Sequence, residues 1–366
     1  MKPFIHFEPE VPNNGLPPLP VERGRVETLA TLRKSISASA AVAELKGISH
    51  TLNNQNILLN AVILREAKAS SEVENIVTTH DKMYRSLNLK GREADAATQE
   101  VLRYREAVKY GLSFIEAHGF LNFRVMADVQ KIMEMNDAGV RKLPGTKLMN
   151  AGTGQAVYTP PDDPEAINAL LGNFEQHFNT NDDLCPLIRM AVLHHQFESI
   201  HPFYDGNGRT GRILNLLFML LHGLLEAPVL YMSGYIVRNK ADYYRTLQVV
   251  RTTGNWEPWI IYMLEAVEVS SRETIRKILD IRKLVGSTNA ELKRVKPKIY
   301  SKELVDVLFE QPYCRIEHVM ERLGVTRITA SKYLRELVDV RLLKRKVEWK
   351  EVYFINHKMM DLLGEW

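Results

Sequence analysis

Twelve consecutive residues, His201 to Arg212, bring together a base, a hard carboxylate, three glycines and two arginines. His201 can accept a proton from a hydroxyl near neutral pH. Asp205 offers oxygens suited to magnesium, an ion usually held by one or two carboxylates plus substrate phosphates. Gly206 and Gly208 lack side chains that would keep a phosphate from the backbone. Arg209 and Arg212, three residues apart, share one face of a helical turn and can fork onto phosphate oxygens. The chemistry indicated is transfer of, or to, a phosphate-bearing group.

Such groups act only if the chain positions them. Pro202 disfavours helical conformation at His201, and Asp205-Gly206-Asn207-Gly208 is turn chemistry. The apolar run Ile213 to Leu221 reads as a buried helix. The glycines therefore sit where a loop enters a helix, a junction whose free amides and positive dipole end favour an anion. Leu184 to Ser199 reads as a helix leading into the loop. His194, His195 and His201 with Glu198 raise the possibility of a metal hydrolase. Adjacent helical residues point about 100° apart, however, so packing is the better reading of the histidines.

The stretch matches His-x-Phe-x-[Asp/Glu]-Gly-Asn-Gly-Arg-x-x-Arg at every specified position, and in this the chain resembles the Fic family. The resemblance implies a protein adenylyltransferase that uses ATP and Mg²⁺ to place AMP on a Ser, Thr or Tyr hydroxyl, of a target protein or of itself. His201 would be the base and Asp205 the metal ligand. The Gly206–Gly208 backbone and Asn207 would stabilise the α-phosphate, while Arg209 and Arg212 hold the outer phosphates. Thr210 and Gly211 complete the nucleotide-binding stretch, and Tyr243 and Tyr244 are candidates for the adenine and ribose pocket.

Ser70-Ser71-Glu72-Val73-Glu74-Asn75 reads on its own as a serine cap with acids in the first helical turn. Beside the resemblance, Ser70, Glu74 and Asn75 match an inhibitory motif, [Ser/Thr]-x-x-x-Glu-[Gly/Asn], whose glutamate pairs with the second motif arginine, here Arg212. Lys147 to Asn150 and Gln155 to Tyr158, flanking Ala151-Gly152-Thr153-Gly154, form a hairpin signature. In the family this is the flap that pins the target by strand addition.

Elsewhere the pattern is helical. Val26, Leu29, Leu32 and Ile36 keep helical spacing over 25–45, and further helices are expected at 56–69, 93–118, 123–135, from Asn239 as cap, and at 256–284. Six prolines in the first twenty residues predict an extended lead-in. Beyond Gly286-Ser287-Thr288-Asn289 the chain turns basic, with 15 Lys or Arg against 9 Asp or Glu over 291–350. Helices near 301–309, 316–323 and 328–340 followed by two strands resemble a winged helix-turn-helix, with Arg327, Thr329, Ser331, Lys332 and Arg335 placed to meet DNA or a protein.

The expected architecture is mainly α. It comprises a lead-in over 1–24, helices with the inhibitory motif over 25–90, a Fic-type core with a hairpin flap over 91–285, and a winged helix over 290–366. A balance of 48 basic against 44 acidic residues is too even to imply a nucleic-acid partner from charge alone. Cys185 and Cys314 fit no metal or disulfide framework. No stretch reads as a signal peptide or a membrane span, so a cytoplasmic protein, compatible with a homodimer, is expected. Two rival readings stay open: a nucleotide-sensing DNA-binding regulator, and an enzyme that removes AMP with Glu74 positioning water.

Overall fold

The computed structural model describes residues 7–51, 55–88, 94–150, 152–348 and 351–364. Pro3, the Glu93 start of the third expected helix and Ala151 of the hairpin turn lie outside them. The lead-in follows an irregular path to α1 (Arg23–Val26), as its prolines require.

Two helices frame the N-terminal half, α2 (Leu29–Ser49) and α3 (Gln55–Val73). The face expected to be core on α2 is reversed. Leu29, Leu32 and Ile36 are exposed, while Ser35, Ala38, Ala41 and Val42 are buried. The reason is close approach: α2 lies along α12 (Glu257–Val295), which presents buried Ser270, Ser271 and Thr274, and small side chains let two helix backbones come near.

α4 (His80–Asn88), which the periodicity had not indicated, leads to α5 (Ala96–His118) and α6 (Phe123–Glu134). Gly119 and Met135 close these two in left-handed conformations. The hairpin β1 (Leu148–Met149) and β2 (Ala156–Tyr158) is antiparallel, its turn organised by the Asn150 side chain, which accepts from the amides of Gly152 and Thr153. α7 (Pro164–Asn179) follows.

The centre of the core is the pair α8 (Pro186–Ile200) and α9 (Asn207–Leu221), buried along nearly all their length. α10 (Met232–Arg238) was not anticipated. It packs on α3 and hands over to α11 (Lys240–Thr253) at Asn239. Asn239 does not cap α11 as expected. Its side chain donates to the Tyr235 carbonyl at 3.0 Å and so closes α10.

α12 is 39 residues long, about 58 Å of continuous helix. The composition change at 286–289, expected to mark a domain boundary, falls inside it without interrupting it. One glycine costs a helix only about 1 kcal/mol, which burial of Thr288 and Leu292 on the same helix offsets. The C-terminal elements are α13 (Lys302–Glu310), β3 (Tyr313–Cys314), α14 (Ile316–Leu323), α15 (Arg327–Asp339), β4 (Lys344–Glu348), β5 (Glu351–Ile355) and an unanticipated α16 (His357–Gly364). The sheet order β3-β5-β4 makes β4–β5 a hairpin beside the α14–α15 pair, the order of elements expected from the sequence.

Candidate active site

His201 ends α8. Its φ of 49° is left-handed, its amide bonds the Phe197 carbonyl at 2.9 Å, and Pro202 forbids another helical turn. Two arginines that no local motif marks fix this helix end. Arg141, 1% exposed, donates to the carbonyls of His201 at 2.7 Å, Ile200 at 3.2 Å and Pro161 at 2.8 Å. Arg251 donates to the Glu198 carbonyl at 2.9 Å and lies over the Tyr158 ring. Both satisfy carbonyls that a helix terminus leaves without partners. Burial, then these two cations, push His201 down to about 3, against a smaller opposing pull from the Glu198 carbonyl. The imidazole is therefore neutral at physiological pH and able to accept a proton.

The loop after His201 is built by its own side chains. Asn207 accepts from the Phe203 amide at 2.9 Å and donates to the Phe203 carbonyl at 2.8 Å. Asn207 is buried and closes the loop through these two bonds. Gly206 adopts φ 79°, and a Cβ there would strike the Glu134 carboxylate. Gln130 holds the Asp205 carbonyl at 3.1 Å. The opening amides of α9 are those that a helix leaves unpaired and that an anion can use.

Asp205 accepts from the Gly206 amide at 2.7 Å through Oδ1, and its side chain is 75% exposed. Among the described residues no three potential ligands gather into a metal cluster. A single exposed carboxylate beside unpaired amides suits magnesium, which keeps waters and takes most other ligands from substrate phosphates.

Thr210 is fully buried, and a Cβ on Gly211 would meet Glu198, His194 and Phe197. These two positions serve the α8–α9 contact. Tyr243 is likewise core: its hydroxyl pairs with His194 Nε2 at 2.8 Å, among Trp259 and Tyr262. Tyr244 is 45% exposed and in electrostatic reach of Glu74 and Arg212. His194 and His195 are buried against Trp259 and Trp256, and the packing reading of the histidines holds.

The two arginines of the loop have separate partners. Arg212, 2% exposed, donates from Nε to Ser70 Oγ at 2.8 Å, and from Nη2 to the Ser70 carbonyl at 2.7 Å and Glu74 Oε1 at 2.9 Å. Burial alone would lower Arg212, but Glu74, with Tyr243 and Tyr104 beside it, raises it above its usual value. A Cβ on Gly208 would overlap the Glu74 carboxylate, which thus lies over the first turn of α9. Arg209 pairs with Glu100, with Glu134 at 2.8 Å and with Asp205 at 3.7 Å. Burial, then Asp205, raises Glu134 to about 7.

The inhibitory segment differs from its expected geometry. Ser70 does not start a helix; it lies in the last turn of α3, and Glu74 is the residue just past the end. Asn75 is left-handed at φ 64°, the Ile76 amide reaches the Ser71 carbonyl, and the Asn75 amide reaches Glu72. This is a Schellman closure with asparagine at the left-handed position. It turns the Ser70 carbonyl outward, so the negative end of the α3 dipole and a carboxylate meet the same guanidinium.

Residues 32–113 match the Fic/DOC family N-terminal profile and residues 114–219 the Fic/DOC family profile. The chain belongs to the Fic/DOC family. Residues 284–359 further match the C-terminal domain of SoFic-like protein adenylyltransferases. Protein adenylyltransferase fic-1 of Caenorhabditis elegans is 32% identical over 117 residues, 31% of this chain and 22% of that protein. Protein adenylyltransferase Fic of Culex quinquefasciatus is 23% identical over 252 residues, 68% of this chain and 47% of that protein. The chain thus spans less than half the length of these relatives. A Fic family protein from Desulfovibrio desulfuricans G20 shares the fold at TM-score 0.58 and 19% identity, over 93% of this chain and 98% of that one. Fic-1 of C. elegans, residues 134–508, does so at 0.51 and 19%, over 67% and 73%. No described helix is long and apolar enough to cross a membrane.

Proposed function

We propose that the protein transfers AMP from ATP to a hydroxyl of a target protein, and that the conformation described is its restrained form. One observation carries the reading: Arg212 is held by Ser70 and Glu74 directly over the helix start where phosphates would lie. In the reaction the target oxygen attacks the α-phosphorus, the bond to the β-phosphate oxygen breaks, and pyrophosphate leaves. His201 takes the hydroxyl proton, held in place by Arg141 and Arg251. The amides opening α9 face charge that grows on the α-phosphate in the transition state. Magnesium bound at Asp205 would neutralise phosphate charge and draw off electron density from the leaving group. Arg212 holds the γ-phosphate only when Glu74 withdraws.

The flap supports the target role. Tyr158 donates to the Ser199 carbonyl at 2.8 Å, and Gln248 donates to the Val157 carbonyl at 2.9 Å, so β2 is tied to α8 and α11. The edge for an added strand is then β1, where Met149 is exposed.

The test is Glu74→Gly assayed with α-labelled ATP, on a lysate and on the protein alone. Transfer should rise at least tenfold, as expected when a guanidinium is freed from a part-buried carboxylate. Adding Arg212→Ala should reverse the gain. Reduced transfer by a folded Glu74→Gly protein would remove the brake and favour a role for Glu74 in AMP removal, read out by release of AMP from a pre-modified target.

A separate observation favours a second partner. Arg327, Lys332 and Arg335 of α15 are exposed around one groove with Ile316, Ile328 and Ser331. We propose that this face binds the phosphates of duplex DNA. Affinity should fall steeply with salt in a mobility-shift titration, and salt-independent or absent binding would reject the proposal.

A further inference from the structure

Arg212 has one carboxylate partner, whereas Arg209 has three. One guanidinium needs only one counter-charge, so the excess on Arg209 requires a reason. Glu100 belongs to the second turn of α5, a long helix fixed on both sides, and its position is set by that helix. Asp205 is exposed and is the ligand assigned to magnesium above.

Glu134 is different. It is the last residue of α6, and Met135 after it is left-handed at φ 54°, where the chain leaves the helix. A carboxylate is disfavoured at this end, because the dipole there is negative. It is also largely buried, and Asp205 and Glu74 add like charge around it. Arg103 already closes the helix by donating to the Met133 carbonyl at 2.9 Å, so Glu134 is not needed as a cap. Its compensation comes from the contact with Arg209 and from the nearby charge of Arg103. The same carboxylate lies against Gly206, where the anion-binding turn begins.

From this geometry we infer that Glu134 is a second brake, occupying Arg209 at the phosphate cradle as Glu74 occupies Arg212. The inference rests on the adenylyltransferase reading for its biological meaning, though not for its measurement. A phosphate can fork onto Arg209 only by displacing one of its carboxylates. Glu100 is anchored mid-helix, whereas Glu134 sits at a helix end from which the side chain can turn away. Full opening of the site therefore takes two displacements, one at each arginine.

Binding of a non-hydrolysable ATP analogue, by calorimetry with and without magnesium, reads this independently of transfer. The variants are Glu134→Gln, which keeps the shape and removes the charge, and Glu100→Gln, each in wild-type and Glu74→Gly protein. Glu134→Gln should tighten binding about tenfold in the Glu74→Gly background, equivalent to about 1.4 kcal/mol, with Tm held. The KM for ATP should fall in parallel, with kcat changed less. Glu100→Gln should lower Tm without tightening binding. Unchanged or weaker analogue binding by Glu134→Gln would overturn the inference and leave Glu134 as a support for Arg209. Weakening seen only with magnesium present would overturn it in favour of a metal ligand. If the analogue binds more tightly but no protein becomes labelled, the brake stands and the transferase reading fails.

Discussion

The starts of α9 and α15 invite comparison, because each presents arginines just inside a helix. On α9 both are buried and held by carboxylates from α3, α5 and α6. On α15, Arg327 meets only the exposed Glu317, while Lys332 and Arg335 stand at the surface. The energetic consequences are opposite. Removing one partner of a buried pair strands a charge at a cost of several kcal/mol, whereas exposed pairs contribute about 0–1 kcal/mol. The first helix is a site that a ligand must open, and the second is one that it can simply approach.

Substitutions should separate the two regions. The largest effect is expected from His201→Ala, which should cut AMP transfer about 10²–10⁴-fold, the range for a lost general base. Binding of the ATP analogue should persist, since other groups hold the phosphates. Transfer within tenfold of the parent would put the base elsewhere. Next comes Asp205→Ala, for which transfer should drop about a hundredfold together with its response to magnesium. An unaltered magnesium titration would show that another residue binds the ion. The smallest effect belongs to Lys332→Ala with Arg335→Ala. Stability should stay within about 0.5 kcal/mol and basal transfer within twofold, because both side chains are exposed. If this pair lowered Tm as much as a substitution among the α9 carboxylates, the contrast between the two helices would collapse.

The α9 side of this contrast was half legible in the sequence. His201, Asp205, the glycines and both arginines lie within one loop, where spacing alone declares the chemistry. The groups that hold them do not. Glu100, Glu134, Arg141 and Arg251 come from residues 40 to 110 positions away, and nothing in their local sequence marks convergence on one turn. Asn207 and Gly211 are legible only as members of the motif; that Asn207 also ties the loop to Phe203 and that Gly211 lies against α8 needs the folded chain. Asn75 carried a readable signal, since asparagine after an acidic helix end favours a left-handed residue, and with it Glu74 would have been placed past α3. The α2 stripe misled for another reason. Apolar spacing marks a face, but small residues opposite allowed the closer contact with α12.

α3 links two distant parts of the molecule. Near its start, Asn60 of α3 donates to the Glu310 carbonyl of the C-terminal domain at 3.1 Å. Its far end carries Ser70, with Glu74 directly beyond, both on Arg212. The thirteen residues between Asn60 and Glu74 amount to about 20 Å of α-helix, and no glycine or proline occurs among them to act as a pivot. α3 is thus a stiff beam with the basic domain bearing on one end and the arginine latch on the other. A small tilt at the domain would move the latch by a comparable distance, with no second message to pass along the way.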